Sequence, residues 1–537
     1  MESKLTPDQE QSYKNIQVFF KDEDNPAIVI MGSAGTGKTF LTRYIVDYIL
    51  NERMGSVAAI APTHKARRVL EKTLNTERFF PVPSFTVASL LGKIREHSYI
   101  GSHKYTNGSK QKMDKFEVFI LDEVSMVEDK DLEEIIDYIC EHDKKLILVG
   151  DNCQIPCPSQ IVVREGDICY KPDSVAFTIA NICVLNNIVR QAADSPIIRI
   201  ASYLRDNLLS EISLDDIIIG SKVSTEDITI SCEDAYSQFI SERQANMDVR
   251  MISYTNASIR RHNTRIRRDL GIEDRLIVVD ELLTGYNNVG WPTPVIENGT
   301  DYMVSSLRQT SRHMIGNYSG LVGYLVDLVD LVDQSNISRE LFFINVRHSH
   351  NANFMKEFVR RAEHVNKRYS TKDAYRKYCA LKNKAVFLED VYNYCGKIMT
   401  EADLRHTQPL LFTKVKEVID TTTKAIAVSE LTEKLRNTYG EIIEGRLIDN
   451  KPFADGEVFA DQYMVVEKDI YYGYAMTAHK SQGSTYESVY VDENDFNKIS
   501  DRWNYKLRAM ENRFKEKNQL KYVACTRASK KLRIMVS

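Results

Sequence analysis

Eight residues, Gly32-Ser33-Ala34-Gly35-Thr36-Gly37-Lys38-Thr39, have the types and spacing of a loop that wraps phosphate groups. The glycines let the backbone curl until successive N–H groups face an anion, and a helix starting at the end of the loop adds positive potential. Lys38 would reach the β- and γ-phosphates of a nucleoside triphosphate, and the Thr39 hydroxyl would ligate Mg²⁺. A second reactive pair is Asp122-Glu123. Asp122 would hold the same ion, directly or through water, while Glu123 would polarise an attacking water as general base. The two motifs together imply hydrolysis of a nucleoside triphosphate. They do not choose among kinase, GTPase, transporter and motor.

Such groups need rigid elements to hold them. The apolar run Ala27–Met31 precedes the phosphate loop, and a helical pattern, Phe40–Leu50, follows it. Val57–Ala61, Val118–Leu121 and Leu146–Val149 read as further buried strands. Apolar runs alternating with helical stretches imply a parallel sheet covered by helices on both faces. Asp122 then stands at the carboxyl end of a strand, beside the loop. Residues 85–116 interrupt the rhythm, with Gly92, Gly101 and Gly108 and with His97, Tyr99, His103 and Tyr105 among lysines, and read as an inserted hairpin subdomain. A second alternation begins near residue 190, includes Val249–Tyr254, breaks off near 285 and returns at Ser488–Val491 and Leu532–Val536. Between its halves, residues 286–345 read as a small β module and 353–440 as helical, polar and Tyr-rich.

The chain of 537 residues is too long for one core, so two to four domains are expected. Hydrophobic residues at 43% and charged residues at 27% fit a soluble globular protein, and no apolar run is long enough to cross a membrane. Met1-Glu2-Ser3-Lys4 leads straight into polar residues, which reads as no secretory leader. Nine cysteines without regular spacing give neither a disulfide framework nor a zinc site. The net charge of −4 does not advertise a nucleic-acid binder, but a local groove makes the field that matters. Residues 258–268 carry Arg260, Arg261, Arg265, Arg267 and Arg268, and 353–384 are also basic; both read equally as solvated helix faces.

Further motifs narrow the class. Leu5-Thr6-Pro7-Asp8-Gln9, Ala61-Pro62-Thr63-His64-Lys65-Ala66, Thr86-Val87-Ala88-Ser89-Leu90, Asp122-Glu123-Val124-Ser125-Met126, Gly150-Asp151-Asn152-Cys153-Gln154-Ile155-Pro156, and Leu185 to Arg190-Gln191 stand in that order. They are followed by Tyr254-Thr255-Asn256 with Asn263 and Arg267, by Thr477-Ala478-His479-Lys480-Ser481-Gln482-Gly483-Ser484-Thr485, and by Tyr522-Val523-Ala524-Cys525-Thr526-Arg527-Ala528. The set resembles the motifs of superfamily 1 helicases, RecD-like branch, from residue 5 to about 530, and is weakest in 286–465.

The resemblance implies an α/β protein with two RecA-like motor domains, 1–84 with 117–190 and 191–285 with 466–537. It implies a pin in 85–116, and an SH3-like and helical insertion at 286–465. ATP and Mg²⁺ would be the cofactors. Gln9 would contact adenine, Gln154 and Gln482 would sense the γ-phosphate, and Arg190 and Arg527 would bring cations to it. Thr63, His64, Lys65, Thr86, Asn256, Thr477, His479 and Lys480 would hold the strand, with the first three on the face opposite the nucleotide contacts. The implied partners are single-stranded and forked DNA, with single-strand-binding or replisome proteins, for a monomeric motor moving 5′→3′. A translocase without unwinding, or an RNA track, would carry the same motifs. The Lys- and Tyr-rich style beside them points to phage replication or recombination, and so to the host cytoplasm.

Overall fold

The computed structural model describes residues 5–76, 81–96, 104–106, 112–157, 162–189, 195–286, 294–315, 318–334, 336–345, 348–351, 464–465 and 470–536. The strands of its first part are β1 Ala27–Gly32, β2 Val57–Ala61, β3 Ser84–Thr86, β4 Ile94–Glu96, β5 Lys104–Thr106, β6 Val118–Leu121, β7 Lys145–Gly150, β8 Val163–Glu165, β9 Ile168–Tyr170 and β10 Ile182–Leu185. Six of them form a sheet in the order β10-β1-β7-β6-β2-β3, every pairing parallel. Alternate residues of β1, β2, β6 and β7 enter two different cores, one containing Val29, Ile60, Phe119 and Leu148 and the other Ile30, Ala59, Ile120 and Val149. Burial on both faces is why these strands read as unbroken apolar runs.

The second parallel sheet has the order β11-β23-β20-β12-β19, from β11 Thr229–Ser231, β12 Val249–Ser253, β19 Ala475–Thr477, β20 Tyr486–Asp492 and β23 Ala528–Val536. The module set between its halves comprises β13 Leu282–Gly285, β14 Asp301–Ile315, β15 Tyr318–Asp330, β16 Ile337–Ile344, β17 Met464–Val465 and β18 Ile470–Tyr472, in the order β17-β16-β15-β14-β13-β18. The helices that matter for the site are α1 Pro7–Phe19, α2 Lys38–Asn51, α3 His64–Asn75, α4 Val87–Leu90, α5 Asn256–Asp269, α6 Ala478–Ser481 and α7 Phe514–Thr526.

Three features depart from the sequence reading. Residues 84–86 pair with β2 as the edge of the first sheet, and Leu90, Leu91, Met113 and Phe116 pack in its core, so the inserted hairpin is narrower than 85–116 and centres on β4 and β5. The module sheet takes in β13 and β18, beyond both limits of 286–465. A small sheet β21-β22-β9-β8, with β21 Arg502–Asn504 and β22 Ala509–Glu511, ties the chain just after the first sheet's Gly150–Pro156 motif to the chain just before α7. The helical stretch expected at 353–440, and the basic run 353–384, lie outside the described residues. Among the described residues no helix is long and apolar enough to cross a membrane.

Candidate functional site, a cleft between two parallel sheets

The carboxyl edge of the first sheet faces the amino edge of the second across a cleft of ≈ 540 Å³, in the size range of a small-molecule site. Lys38, Thr39, Asp122, Glu123 and Gln154 line it from one side, and Arg250, Gly483, Ser484, Tyr486 and Arg527 from the other.

β1 ends in the glycine loop, which turns into α2 through Gly37 at φ 76°. A Cβ on Gly37 would come within 2.6 Å of Gln9 Nε2, so the loop needs glycine twice, for its backbone and for its neighbour. Gln9 is fixed by a capping box with Thr6 at the start of α1, and its Nε2 donates to Thr36 O at 2.9 Å. It therefore braces the loop. Val189 N donates to Gly35 O at 2.8 Å, and Arg190 lies outside the described residues. The Lys38 ammonium donates to Gly32 O at 2.9 Å and Ser33 O at 3.0 Å, inside the loop's own curve.

Asp122 follows β6. Burial, and next the negative charge of Glu123, raise its carboxyl to about 7. Glu123 stands in the left-handed region at φ 52°, a strained place for a side chain that the turn after β6 imposes. Its Oε2 is buried with no hydrogen-bond partner among the described residues. Two adjacent carboxylates, one with an oxygen that lacks a partner among the described residues, could hold a cation, and Thr39 beside them adds a hydroxyl.

Contacts across the cleft join the two sheets' loops. Gln482 Nε2 donates to Gln154 Oε1 at 2.9 Å, and Gln519 Nε2 donates to Gln154 O at 3.0 Å. The Tyr522 hydroxyl, on α7, accepts from Ala34 N at 3.3 Å and donates to Asp151 Oδ2 at 2.7 Å, while Arg205 donates to Asp151 Oδ1 at 3.3 Å. Sequence reasoning gave Tyr522, Asp151 and Arg205 no role. Tyr522 and Asp151 lay inside quoted motifs, but nothing local shows that they meet. The Arg527 guanidinium is buried at the end of α7, donating to Val523 O at 3.0 Å, Ser484 O at 3.1 Å and Thr526 Oγ1 at 3.0 Å.

The residues expected on the strand divide. Thr63, Thr86 and Thr477 each cap a helix at the carboxyl end of a strand, accepting from Ala66 N, Ser89 N and Lys480 N. Thr255 does the same ahead of exposed Asn256. Such caps use one amide and leave the first N–H groups of each helix for other partners. His64 Nδ1 is 3.7 Å from Glu297. Burial pushes the His479 imidazole down, against an opposing pull from Glu516. Burial also pushes the Lys480 ammonium down to about 7, and its Nζ lies 3.1 Å from the centre of the Tyr286 ring.

Lys65 departs from expectation. It does not sit on the face opposite the nucleotide contacts; it lines the same cleft as Lys38, buried, with Nζ donating to Asp301 Oδ2 at 2.9 Å. The module's carboxylate draws it in, because a buried ammonium needs an anion. In the basic run 258–268, Arg267 is structural: it is buried on Glu281 at 2.6 Å and stacks on Tyr472.

Comparison with known proteins fits this arrangement. An AAA domain family model matches residues 4–213. The uncharacterized protein R530 of Acanthamoeba polyphaga mimivirus is 23% identical over 505 residues, 89% of this chain and 91% of that protein. The ATP-dependent DNA helicase dda of Enterobacteria phage T4 is 26% identical over 284 residues, 52% of this chain and 60% of the helicase. RecBCD subunit RecD of Buchnera aphidicola is 30% identical over 182 residues, 31% of this chain and 28% of that subunit. Two parallel sheets with a phosphate loop and an arginine facing one cleft make a two-domain α/β protein with a phosphate-loop site between the domains. The chain is similar to the phage helicase and to RecD, and spans 60% and 28% of their respective lengths.

Proposed function

We propose that the protein is an ATP-dependent DNA helicase that moves 5′→3′ along single-stranded DNA and opens the duplex ahead, in replication, recombination or repair. The observation that carries this reading is that Lys38 of one sheet and Arg527 of the other line one cleft. A ligand gripped from both sides draws the domains together, and its hydrolysis lets them part. The phage relative, 26% identical over 284 residues, is an ATP-dependent DNA helicase.

In this mechanism the glycine loop's amides and Lys38 hold the polyphosphate, with the Lys38 ammonium leaving its carbonyl partners for it. Glu123, with its unpartnered oxygen, orients and deprotonates water. Thr39 and Asp122 are the residues that would hold Mg²⁺, whose part is to neutralise charge on the phosphate oxygens. Arg527 meets the charge that develops on the transferring phosphoryl group. Gln154 and Gln482 carry the γ-phosphate's presence between domains through their shared hydrogen bond. Helix starts capped by Thr63 and Thr86 in one domain, and by Thr255 and Thr477 in the other, offer amides to backbone phosphates. His64, Asn256, His479 and Lys480 stand beside them, and alternating grip by the two sets would advance the strand. The hairpin of β4 and β5 would serve as the pin that meets the fork.

The deciding experiment is strand displacement on duplexes with only a 5′ or only a 3′ tail, with Lys38→Ala as the inactive control. Displacement confined to 5′-tailed substrates is expected. ATP-dependent movement without displacement would favour the translocase alternative, and displacement from RNA tails alone would redirect the track. A second expectation concerns coupling. Gln482→Ala removes a buried hydrogen bond of the kind worth about 0.5–1.5 kcal/mol, so the DNA-stimulated ATPase rate should fall roughly two- to tenfold. Steady-state hydrolysis at saturating single strands checks it.

A further inference from the structure

One carboxylate joins three bodies of the molecule. Asp301, the first residue of β14 in the module, accepts from Lys65 Nζ at 2.9 Å through Oδ2. The same oxygen lies 3.5 Å from the Nη2 of Arg250, which stands on β12 of the second parallel sheet. Lys65 belongs to α3, which follows β2 of the first sheet. Asp301 Oδ1 accepts from Thr284 Oγ1 at 2.6 Å, fixing the carboxylate within the module. The side chains are 9%, 7% and 1% exposed for Lys65, Asp301 and Arg250, and all three line the cleft of Lys38 and Arg527.

Each partner favours the other's charged form. Burial works against the Lys65 ammonium, but the neighbouring Asp301 carboxylate overcomes it and raises Lys65 to about 12. Burial likewise opposes ionisation of Asp301, and Lys65 and Arg250 reverse it to a net lowering. One turn along α3, Arg68 forms ion pairs with Glu297 at 2.8 Å and with Asp330, both from the module, so the contact between module and first domain is extended.

Two cations on separate domains can share one oxygen only at one separation. They repel each other, and although Arg250 also holds Asp248 and Lys65 reaches the Tyr486 hydroxyl, drawing either cation away from Asp301 leaves buried charge less compensated. Any change in cleft width must therefore move the module or break the pair. We propose that Asp301 is a positioning residue that couples nucleotide-driven closure of the cleft to the β module. The module then moves with each hydrolytic cycle and acts as a driven part of the motor. This inference rests on the motor reading above.

The test uses the full-length protein and measures ATP consumed per base pair unwound on forked DNA, beside the single-strand-stimulated ATPase rate. In Asp301→Asn the consumption per base pair should rise at least about fivefold, the low end of a typical coupling between sites, while hydrolysis persists. Arg250→Lys keeps the charge but shortens the reach to Asp301; it should shift the same ratio in the same direction, and it decides the matter if Asp301→Asn does not fold. A wild-type ratio in Arg250→Lys overturns the proposal, as does a parallel loss of hydrolysis and unwinding. Wild-type protein without strand-stimulated ATPase would instead overturn the motor reading itself.

Discussion

Arg527→Ala is expected to lower kcat for ATP hydrolysis by roughly 10³–10⁵, the range for removing an arginine from a transferring phosphoryl group, with little change in KM. The asymmetry follows from where the residue sits. Ground-state phosphates are held mainly by the glycine loop and Lys38 on the first sheet, whereas Arg527 reaches the cleft from the second. Its contribution grows as charge develops and the domains close. The variant needs a control for folding, because the guanidinium also donates to Val523 O and Ser484 O, both within its own domain. Val523 O keeps the Thr526 hydroxyl as a donor, but Ser484 O loses Arg527, and leaving a buried carbonyl without a partner costs about 1–3 kcal/mol, so a lowered Tm is expected alongside the rate loss. Arg527→Lys separates the effects: it preserves a cation but not the fork, and should recover part of Tm while kcat stays low. Single-turnover hydrolysis and thermal melting check both. Hydrolysis within about tenfold of wild type in a folded Arg527→Ala would mean that the phosphoryl group is served from one domain only, against what an arginine in that place supplies.

What was legible in the sequence was whatever a short stretch of chain fixes by itself. The strand–loop–helix around Lys38, the carboxylates after Val118–Leu121 and the doubly buried strands all follow from local residue order, since a parallel sheet covered on both faces writes itself as apolar runs. The threonine caps need only an amide three residues on, but in the sequence Thr63, Thr86 and Thr477 read as strand contacts and not as caps. What could not be read is what distant chain supplies. Lys65 looks like an exposed lysine at the start of a helix; it is buried because Asp301, 236 residues away, meets it. Tyr522 and Asp151 are 371 residues apart, and neither motif shows that they share a hydrogen bond. Arg267 looked like part of a basic face, but Glu281, across the turn after α5, takes its charge inside. The pairing of β9 with β22 joins chain before α7 to chain after the first sheet's Gly150–Pro156 motif, which no local pattern shows. Misreadings thus gather at polar and charged residues whose partners lie outside their own motif, and where the partner belongs to another domain, as for Lys65 and Tyr522, the contact can carry motion.

Glu123→Gln is expected to cut kcat by about 10²–10⁴, the usual worth of a positioned general base, while leaving nucleotide binding intact. The amide has nearly the carboxylate's shape, so the strained turn at φ 52° after β6 can keep its backbone. It cannot take a proton from water, the step proposed for Oε2, which has no hydrogen-bond partner among the described residues. The substitution also removes the negative charge that, after burial, raises the Asp122 carboxyl. Polyphosphate in the cleft then meets one anion fewer, and the nucleotide's Kd should stay level or fall. The variant should therefore rest in the ATP-bound, closed state, and its affinity for single strands should be that state's affinity, unchanged over a long incubation. Fluorescent-nucleotide binding, strand binding by anisotropy and the hydrolysis rate, taken on one preparation, test this together. Near wild-type turnover would remove Glu123 from the proton transfer. Loss of nucleotide binding in step with turnover would make Glu123 part of the binding site, with water activated from elsewhere in the cleft.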